Sequence, residues 1–298
     1  MPTSVPELVD ILDLERLELD LYRGAQPPHS TLQRVFGGQV AAQALMAACR
    51  SVDAERVVHS LHAYFLRGGD TTVPIVYDVE RIRDGSSFST RRVSARQHGK
   101  VIFYVTASFQ RHEEGFEHQD VMPEVPPAAD CPDLAEMLQQ VSSRAADSWR
   151  REWSALDVRY VGDSRPGGSL GTGSAAIGSI PPGGSPARQR LWFRAAAALP
   201  VDRVLDACVL TYASDLTLLG SSLVPHGVLI GQSGLQAASL DHAVWFHRPA
   251  RADRWLLYDQ VSPAAVSGRG FAQAHIFTES GELVASVAQE GLIRRSRR

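Results

Sequence analysis

Hydrophobic and polar positions alternate along this chain between helix-like and strand-like segments. Residues 40–48 form an alanine-rich run without a helix breaker, and they predict a helix that opens at Gly37-Gly38. Residues 200–216 carry apolar side chains every three to four positions behind a proline, which predicts a second helix. Leucines alternate with acidic residues over 17–21, which predicts a short strand before the first helix.

The chain also matches itself at an offset of 181–182 residues. An arginine closes an aromatic, strand-like run and is followed ten residues later by a Tyr-Asp pair, at Arg67 and Tyr77-Asp78 and again at Arg248 and Tyr258-Asp259. A fixed offset of this kind is typical of duplicated structural units. The sequence therefore predicts two copies of one α+β unit, each a helix covering the concave face of a sheet of about four antiparallel strands.

Composition changes between the two copies. We predict an N-terminal domain over 1–122, a linker and connecting amphipathic helix over 123–153, and a C-terminal domain over 154–298. Residues 162–186 are dense in Gly, Ser and Pro, and we expect part of this loop to be mobile.

Composition and charge exclude several classes of protein. The chain has 298 residues, 44% of them hydrophobic, with a net charge of −3, so nothing global attracts it to nucleic acid or to an anionic membrane. Cys49, Cys131 and Cys208 are too few and too far apart for a disulfide framework or a metal knuckle. The sequence shows neither a secretory signal nor an apolar stretch long enough to span a bilayer. We therefore expect a soluble, cytoplasmic protein.

Some motifs suggest chemistry that their context does not support. Residues 167–171 match the G-x-S-x-G nucleophile elbow, but they lie in a Gly/Ser tract rather than between a strand and a helix. No glycine-rich phosphate-binding motif is present. The pairs His59/His62 and His242/His247 have spacings that point to opposite faces of a strand, so we expect no metal site from them.

Three polar residues stand in segments that are otherwise apolar. Asp215 follows Tyr212 by one turn in the second predicted helix, Gln289 lies in the final strand, and Ser239 leads into an aromatic strand. A buried carboxylate costs several kcal/mol without hydrogen-bond partners and often has a function. Taken singly, each residue also fits a satisfied structural polar group.

These residues belong to motifs of a known family. From about residue 8 to 294 the chain closely resembles the type II acyl-CoA thioesterases (TesB type). The resemblance rests on residues 35–39, 58–70, 77–85, 115–119, 212–215, 241–249 and 289–291. It implies an α+β double hotdog, in which two tandem hotdog domains each wrap an antiparallel sheet around a helix.

The resemblance also implies an activity and a catalytic set. The family hydrolyses fatty acyl-CoA to free fatty acid and CoA without a covalent intermediate, a metal or a cofactor. Carried over by motif, its catalytic residues are Asp215, Ser239 and Gln289, with serine where the family has Thr or Ser. Asp215 would accept a proton from water, or polarise it, while the other two orient that water.

Further residues are candidates for substrate binding. Gly37, Gly38 and Gln39 open the first helix, where a glycine pair allows close backbone approach for a ligand or for packing. Arg91, Arg92 and Arg269 are candidates for the phosphates of CoA. By analogy with other hotdog proteins we expect a homo-oligomer.

Two alternatives come from other functional classes. The first is a catalytically idle acyl-CoA-binding or regulatory double hotdog, although the retained Asp215, Ser239 and Gln289 argue against it. The second is an enoyl-CoA hydratase, which needs an Asp/His pair, and nothing in the sequence pairs His242 with Asp215. The first copy has no acid equivalent to Asp215, which predicts one active site per chain. We expect the first domain to be structural, with a further role in lining the acyl tunnel left open.

Overall fold

The computed structural model describes residues 1–165, 170, 187–232 and 234–295. The helices in this part of the chain are α1 (Val5–Leu12), α2 (Gly37–Cys49), α3 (Leu134–Val141), α4 (Ser143–Glu152), α5 (Arg203–Ser214) and α6 (Leu218–Ser221). The strands of the first half are β1 (Glu15–Glu18), β2 (Leu21–Gly24), β3 (Arg56–Phe65), β4 (Ile75–Asp84), β5 (Phe88–Gln97) and β6 (Lys100–Arg111). Those of the second half are β7 (Leu156–Asp163), β8 (Ala187–Ala195), β9 (Leu235–Ser239), β10 (Asp241–Phe246), β11 (Leu256–Val266), β12 (Arg269–Thr278) and β13 (Leu283–Arg295).

The described strands form one continuous antiparallel sheet. Its order is β1-β2-β4-β5-β6-β3-β10-β13-β12-β11-β8-β7, and β9 pairs with β13 beside this path. The order is palindromic about the junction of β3 and β10, because each strand of the first half has a counterpart at the same distance on the other side. The predicted duplication is confirmed, with more strands in each unit than the four or so expected.

The two halves join through main-chain hydrogen bonds as well as side chains. At the junction Leu61 of β3 pairs with Val244 of β10, and both side chains are fully buried. In strands, successive side chains point to opposite faces, so these residues lie on the concave face that covers the helices.

Helices α2 and α5 lie side by side within the concave face. The predicted helix at Gly37 is confirmed, and alanines such as Ala44 and Ala47 are completely buried, which lets the two helices approach closely. Gly38 at the start of α2 lies beside the carbonyl of Tyr212 near the end of α5. The start of one helix therefore meets the end of the other, and this junction positions the site.

Three predicted elements differ from the structure. Residues 17–21 are not one strand, because Asp20 takes a positive φ of 59° and turns the chain from β1 into β2. The connecting helix breaks into α3 and α4 at Ser142, which is extended and caps α4 by accepting from Ala145 N–H. The second predicted helix starts at its cap Asp202 but ends at Ser214, so Asp215 is a C-terminal cap rather than a helical residue.

Two further segments bear on earlier expectations. Of residues 162–186 the structure describes only 162–165 and 170, so the predicted loop mobility and the G-x-S-x-G match lie outside the described residues. The segment Arg203–His226 is apolar and long enough to cross a membrane, yet 78% of its most apolar stretch is buried inside the fold. This segment consists of α5, α6 and the turn that follows them, and it lies in the core of the second half.

Candidate active site

The three residues predicted to be catalytic converge at the end of α5. Asp215 is 8% exposed, and its Oδ1 accepts a hydrogen bond of 2.5 Å from Gln289 Nε2. Ser239 Oγ donates to the same oxygen over 3.4 Å. One carboxylate oxygen thus accepts hydrogen bonds from an amide and a hydroxyl of residues that are distant in sequence.

Strand register explains why these side chains meet. Gln289 lies on the inward face of β13 and is completely buried. Ser239 ends β9 and is paired with Gly291, two positions further along β13. Alternation along β13 places Gln289 and Gly291 on the same face, so the end of β9 brings the Ser239 hydroxyl over the site.

The first half of the chain also contributes to the site. The backbone N–H of Gly38 donates a hydrogen bond to the Asp215 carboxylate, and Gly37 lies directly against the same side chain. Both glycines belong to the first turn of α2, whose free N–H groups and dipole favour a negative charge. The first domain therefore contributes to the site as well as to the fold, because its helix N-terminus helps to hold the acid of the second.

Burial sets the protonation of Asp215. Desolvation raises the pKa of Asp215 to about 7, although hydrogen bonds from Gln289, Gly38 and Ser239 counteract part of this rise. A carboxylate with a pKa near neutrality can be ionised in the resting enzyme and still accept a proton readily. The site is thus suited to general-base chemistry at cellular pH.

A fourth residue, His242, belongs to this site, and the sequence did not place it there. His242 Nδ1 lies 4.0 Å from Asp215 Oδ1, which corrects the expectation that nothing pairs the two residues. Ser239 and His242 are three positions apart and would face opposite ways in one strand. The chain leaves the β9 ladder at Leu240 before β10 begins, so both side chains face inward.

The ring of His242 has no free nitrogen. Nδ1 lies 3.2 Å from Gln289 Nε2, and Nε2 lies 2.8 Å from Ser214 Oγ. The side chain is completely buried, and desolvation lowers the pKa of His242 to about 3. A neutral imidazole with both nitrogens bonded inside the protein is unsuited to the acid–base role of a hydratase.

Two tyrosines related by the repeat support the helices. Tyr258 of β11 donates from its Oη to the Ser214 carbonyl over 2.7 Å, next to Asp215. Tyr77, its counterpart in β4, donates to Gln43 Oε1 of α2, also over 2.7 Å. Each unit therefore uses the same strand position to fix its central helix.

The remaining candidates of the first half lie in different surroundings. Gln39 is completely buried, and its amide donates to Ala25 O and Gln26 Oε1, so it braces the loop before α2. Arg91 is 1% exposed and donates to Ser51, to Asp84 and to backbone carbonyls. Because its guanidinium is committed inside the fold, we withdraw Arg91 as a CoA contact.

Arg92 and Arg269 lie at the surface. Arg92 pairs with Glu80 at 2.6 Å on the outer face of the first half. Arg269 pairs with Glu290 at 2.9 Å, next in sequence to the site residue Gln289. Of the three arginines, Arg269 is therefore the one beside the strand that carries the site.

In the described residues, no group of three or more His, Cys, Asp and Glu side chains is placed to hold a metal ion. The three cysteines are unpaired, and burial raises the pKa of Cys49 to about 12. Such a thiol is inert as a nucleophile.

Comparisons with known proteins agree with this fold. Residues 25–110 match the family model for the acyl-CoA thioesterase N-terminal domain, and residues 179–292 match the model for acyl-CoA thioesterase. The chain is 39% identical to acyl-CoA thioesterase 2 of Haemophilus influenzae, over 99% of each protein.

Solved structures give the same result. The crystal structure of an acyl-CoA thioesterase II from Mycobacterium marinum matches with a TM-score of 0.78 and 48% identity over 98% of both chains. A hot dog fold protein of unknown function from Alicyclobacillus acidocaldarius matches with a TM-score of 0.73 at 20% identity, covering 97% of this chain and 98% of the other, and shows the fold alone.

Fold and comparisons together define the class as a double-hotdog thioester hydrolase. The chain belongs to the acyl-CoA thioesterase family, of the TesB type that the motifs indicated, and it hydrolyses acyl-CoA. A catalytically idle acyl-CoA binder is not favoured, because similarity to proteins named as thioesterases runs through the whole chain.

Proposed function

We propose that Asp215 is the general base of this thioesterase, and that Ser239 and Gln289 orient the attacking water. The observation that carries the proposal is the convergence of amide and hydroxyl on one oxygen of a buried carboxylate. These bonds keep the carboxylate in a single orientation, as a base must be held to act on one water molecule.

The proposed reaction follows from the chemistry of a thioester. Water oxygen attacks the acyl carbon while Asp215 takes one of its protons, which gives a tetrahedral intermediate. Collapse of this intermediate breaks the C–S bond and expels CoA thiolate, which receives a proton from the Asp215 carboxylic acid. Fatty acid and CoA leave, and the carboxylate is restored without a covalent enzyme intermediate.

The wider environment of the site completes the proposal. Arg269, which lies beside the strand of Gln289, is our leading candidate for a CoA phosphate contact, ahead of Arg92.

We propose domains over 1–122 and 154–298 joined by 123–153, supported by family matches that fall inside each domain. Unpaired cysteines support a cytoplasmic location, and the architecture supports a homo-oligomer by analogy.

Rapid-quench mass spectrometry of the intact chain tests the mechanism. Enzyme is mixed with excess acyl-CoA, chain lengths from short to long are compared, and samples are quenched during steady turnover while a thiol reagent records CoA release. We expect rapid thiol release with no acyl adduct on the protein. Accumulation of an acylated chain, with the adduct on Asp215, would contradict general-base catalysis and show a nucleophilic carboxylate.

A further inference from the structure

Three side chains behind Asp215, those of Ser214, His242 and Gln289, form a directed hydrogen-bond chain that ends at its carboxylate. Ser214 has one hydroxyl hydrogen, and we assign it to the Thr211 carbonyl, which lies 3.0 Å away and can only accept. Ser214 Oγ is therefore left to accept from His242 Nε2–H across their 2.8 Å contact. His242 is thereby assigned as the tautomer that carries its proton on Nε2 and has a free electron pair on Nδ1.

This tautomer determines which way the Gln289 amide points. His242 Nδ1 can only accept, so the 3.2 Å contact needs the NH₂ end of Gln289. The second hydrogen of the same NH₂ group goes to Asp215 Oδ1. Both amide hydrogens are thus used by the protein, one on each side.

The carbonyl end of the same amide is left without a protein partner. Gln289 Oε1 is buried and makes no hydrogen bond with any described residue. A buried amide oxygen without a partner is costly, and the substrate water is a partner that would satisfy it.

We propose that His242 is a positioning residue: its Nδ1 locks the Gln289 amide so that Nε2 serves Asp215 and Oε1 is presented to the attacking water. The inference rests on the proposed function and deepens it. Without an acceptor at Nδ1 the amide is free to flip, and Oε1 then faces the carboxylate. The flipped amide repels ionised Asp215 and accepts a hydrogen bond from its protonated form, so the flip favours the inactive, protonated acid.

Two variants of His242 separate positioning from packing. His242→Asn retains a hydrogen-bond acceptor at the position of Nδ1, whereas His242→Leu fills the space without one. We expect His242→Leu to lose kcat by at least about tenfold, with KM changed by less than about threefold. Its kcat/KM profile should shift its acid limb to higher pH. His242→Asn should stay within about threefold of the natural chain and keep its pH profile, although both variants lose the bond to Ser214.

To assign the shifted acid limb to Asp215, the other titratable groups around this residue must be excluded as its source. Among the described residues these are His242 from β10 and Tyr258 from β11, and burial keeps the pKa of Tyr258 well above its usual range. Helix α2 and strand β13 present Gly38 and Gln289, which do not titrate. A shifted acid limb therefore reports on Asp215.

Nitrogen NMR of ¹⁵N-histidine-labelled natural protein gives a second test, in which the proton on the His242 ring is observed in the natural chain itself. The His242 signal, assigned by its loss in His242→Asn, should be that of a neutral ring protonated on Nε2 from about pH 5.5 to about pH 8.5. A ring protonated on Nδ1 would overturn the proposal, and so would equal kcat values for the Asn and Leu variants. If Asp215→Asn turned over normally, the proposed function itself would fail, which is a distinguishable result.

Discussion

Gly37 of the first half and Asp215 of the second half lie so close that a Cβ built on Gly37 would sit 2.7 Å from Asp215 Oδ2. The same Cβ would also lie 2.7 Å from the ring of Phe65. Real Cβ atoms do not approach other atoms so closely, so glycine is required here for space. The acid of one unit therefore depends on the helix start of the other.

Substitution of this glycine should impair activity more than folding. We predict that Gly37→Ala pushes Asp215 away from its hydrogen-bond partners and lowers kcat by at least about tenfold, since small misplacements of a catalytic group are costly. Steady-state thiol release and thermal unfolding measure the two effects. Gly220→Ala is the matched control, because its Cβ would meet only Ile230, at 3.9 Å, and it should leave kcat unchanged.

The raised pKa of Asp215 predicts that ionisation of this carboxyl, which general-base catalysis requires, lowers the stability of the folded chain. In the folded chain the carboxyl keeps its proton up to about pH 7, against 3.8 for the reference carboxyl, so the folded state binds more protons than the unfolded state between these values. Stability therefore falls as pH rises through this window. Asp215→Asn avoids a buried charge and should be more stable than the natural chain at pH 8, by an amount on the order of a few kcal/mol. At pH 5, inside this window, the difference should be clearly smaller, and it should disappear only below the reference pKa of 3.8.

Asp253 is a control, because the pKa of its carboxyl is lowered whereas that of Asp215 is raised. The backbone N–H of Leu199 and the guanidinium of Arg251 lower the pKa of its carboxyl. Its contribution to stability is present above the reference pKa and is lost as pH falls through the lowered one. Asp253→Asn should therefore be less stable than the natural chain at pH 8. Denaturant titration of Asp215→Asn and Asp253→Asn at both pH values measures these differences. A stability gain in Asp215→Asn that did not change with pH would contradict a raised pKa for the buried carboxyl.

Arg91 and Arg92 are neighbours with different surroundings, and their substitutions should differ accordingly. Arg91→Met leaves Asp84 and Ser51 without their buried partner and should cost about 2 kcal/mol of folding free energy. Arg92→Met breaks an exposed pair with Glu80 and should cost less than about 1 kcal/mol. Both losses of folding free energy should be measurable in the absence of CoA, because they come from contacts within the protein. A large rise of KM in an Arg91→Met protein that remained fully stable would restore Arg91 as a substrate contact.

Much of the architecture was readable from the sequence because duplication leaves a repeated pattern. The Tyr77 and Tyr258 positions marked equivalent strands, and their hydroxyls do equivalent work on the two central helices. Local breaks were harder to predict. The turn at Asp20 depends on a left-handed backbone conformation in a residue that tolerates it, and alternation of leucines across it looked like one strand.

The site was predicted in part for the same reason. Asp215, Ser239 and Gln289 carry motif signals of their own, and the structure brings them together. His242 was missed because its spacing from Ser239 indicates the opposite face unless the chain is known to break between β9 and β10. Burial of Arg91 was also invisible, because an arginine in an alternating strand looks exposed until the residues packed against it are known.

Turnover and binding by Asp215→Asn decide whether this carboxylate is the general base. Thiol release is followed with a panel of acyl-CoA substrates in the presence of a metal chelator, and acyl-CoA binding is measured on the same preparation by calorimetry. We expect a fall in kcat of at least about a hundredfold, the scale expected for loss of a general base, with binding retained. Unchanged turnover would contradict general-base catalysis by Asp215 and remove this residue from the mechanism.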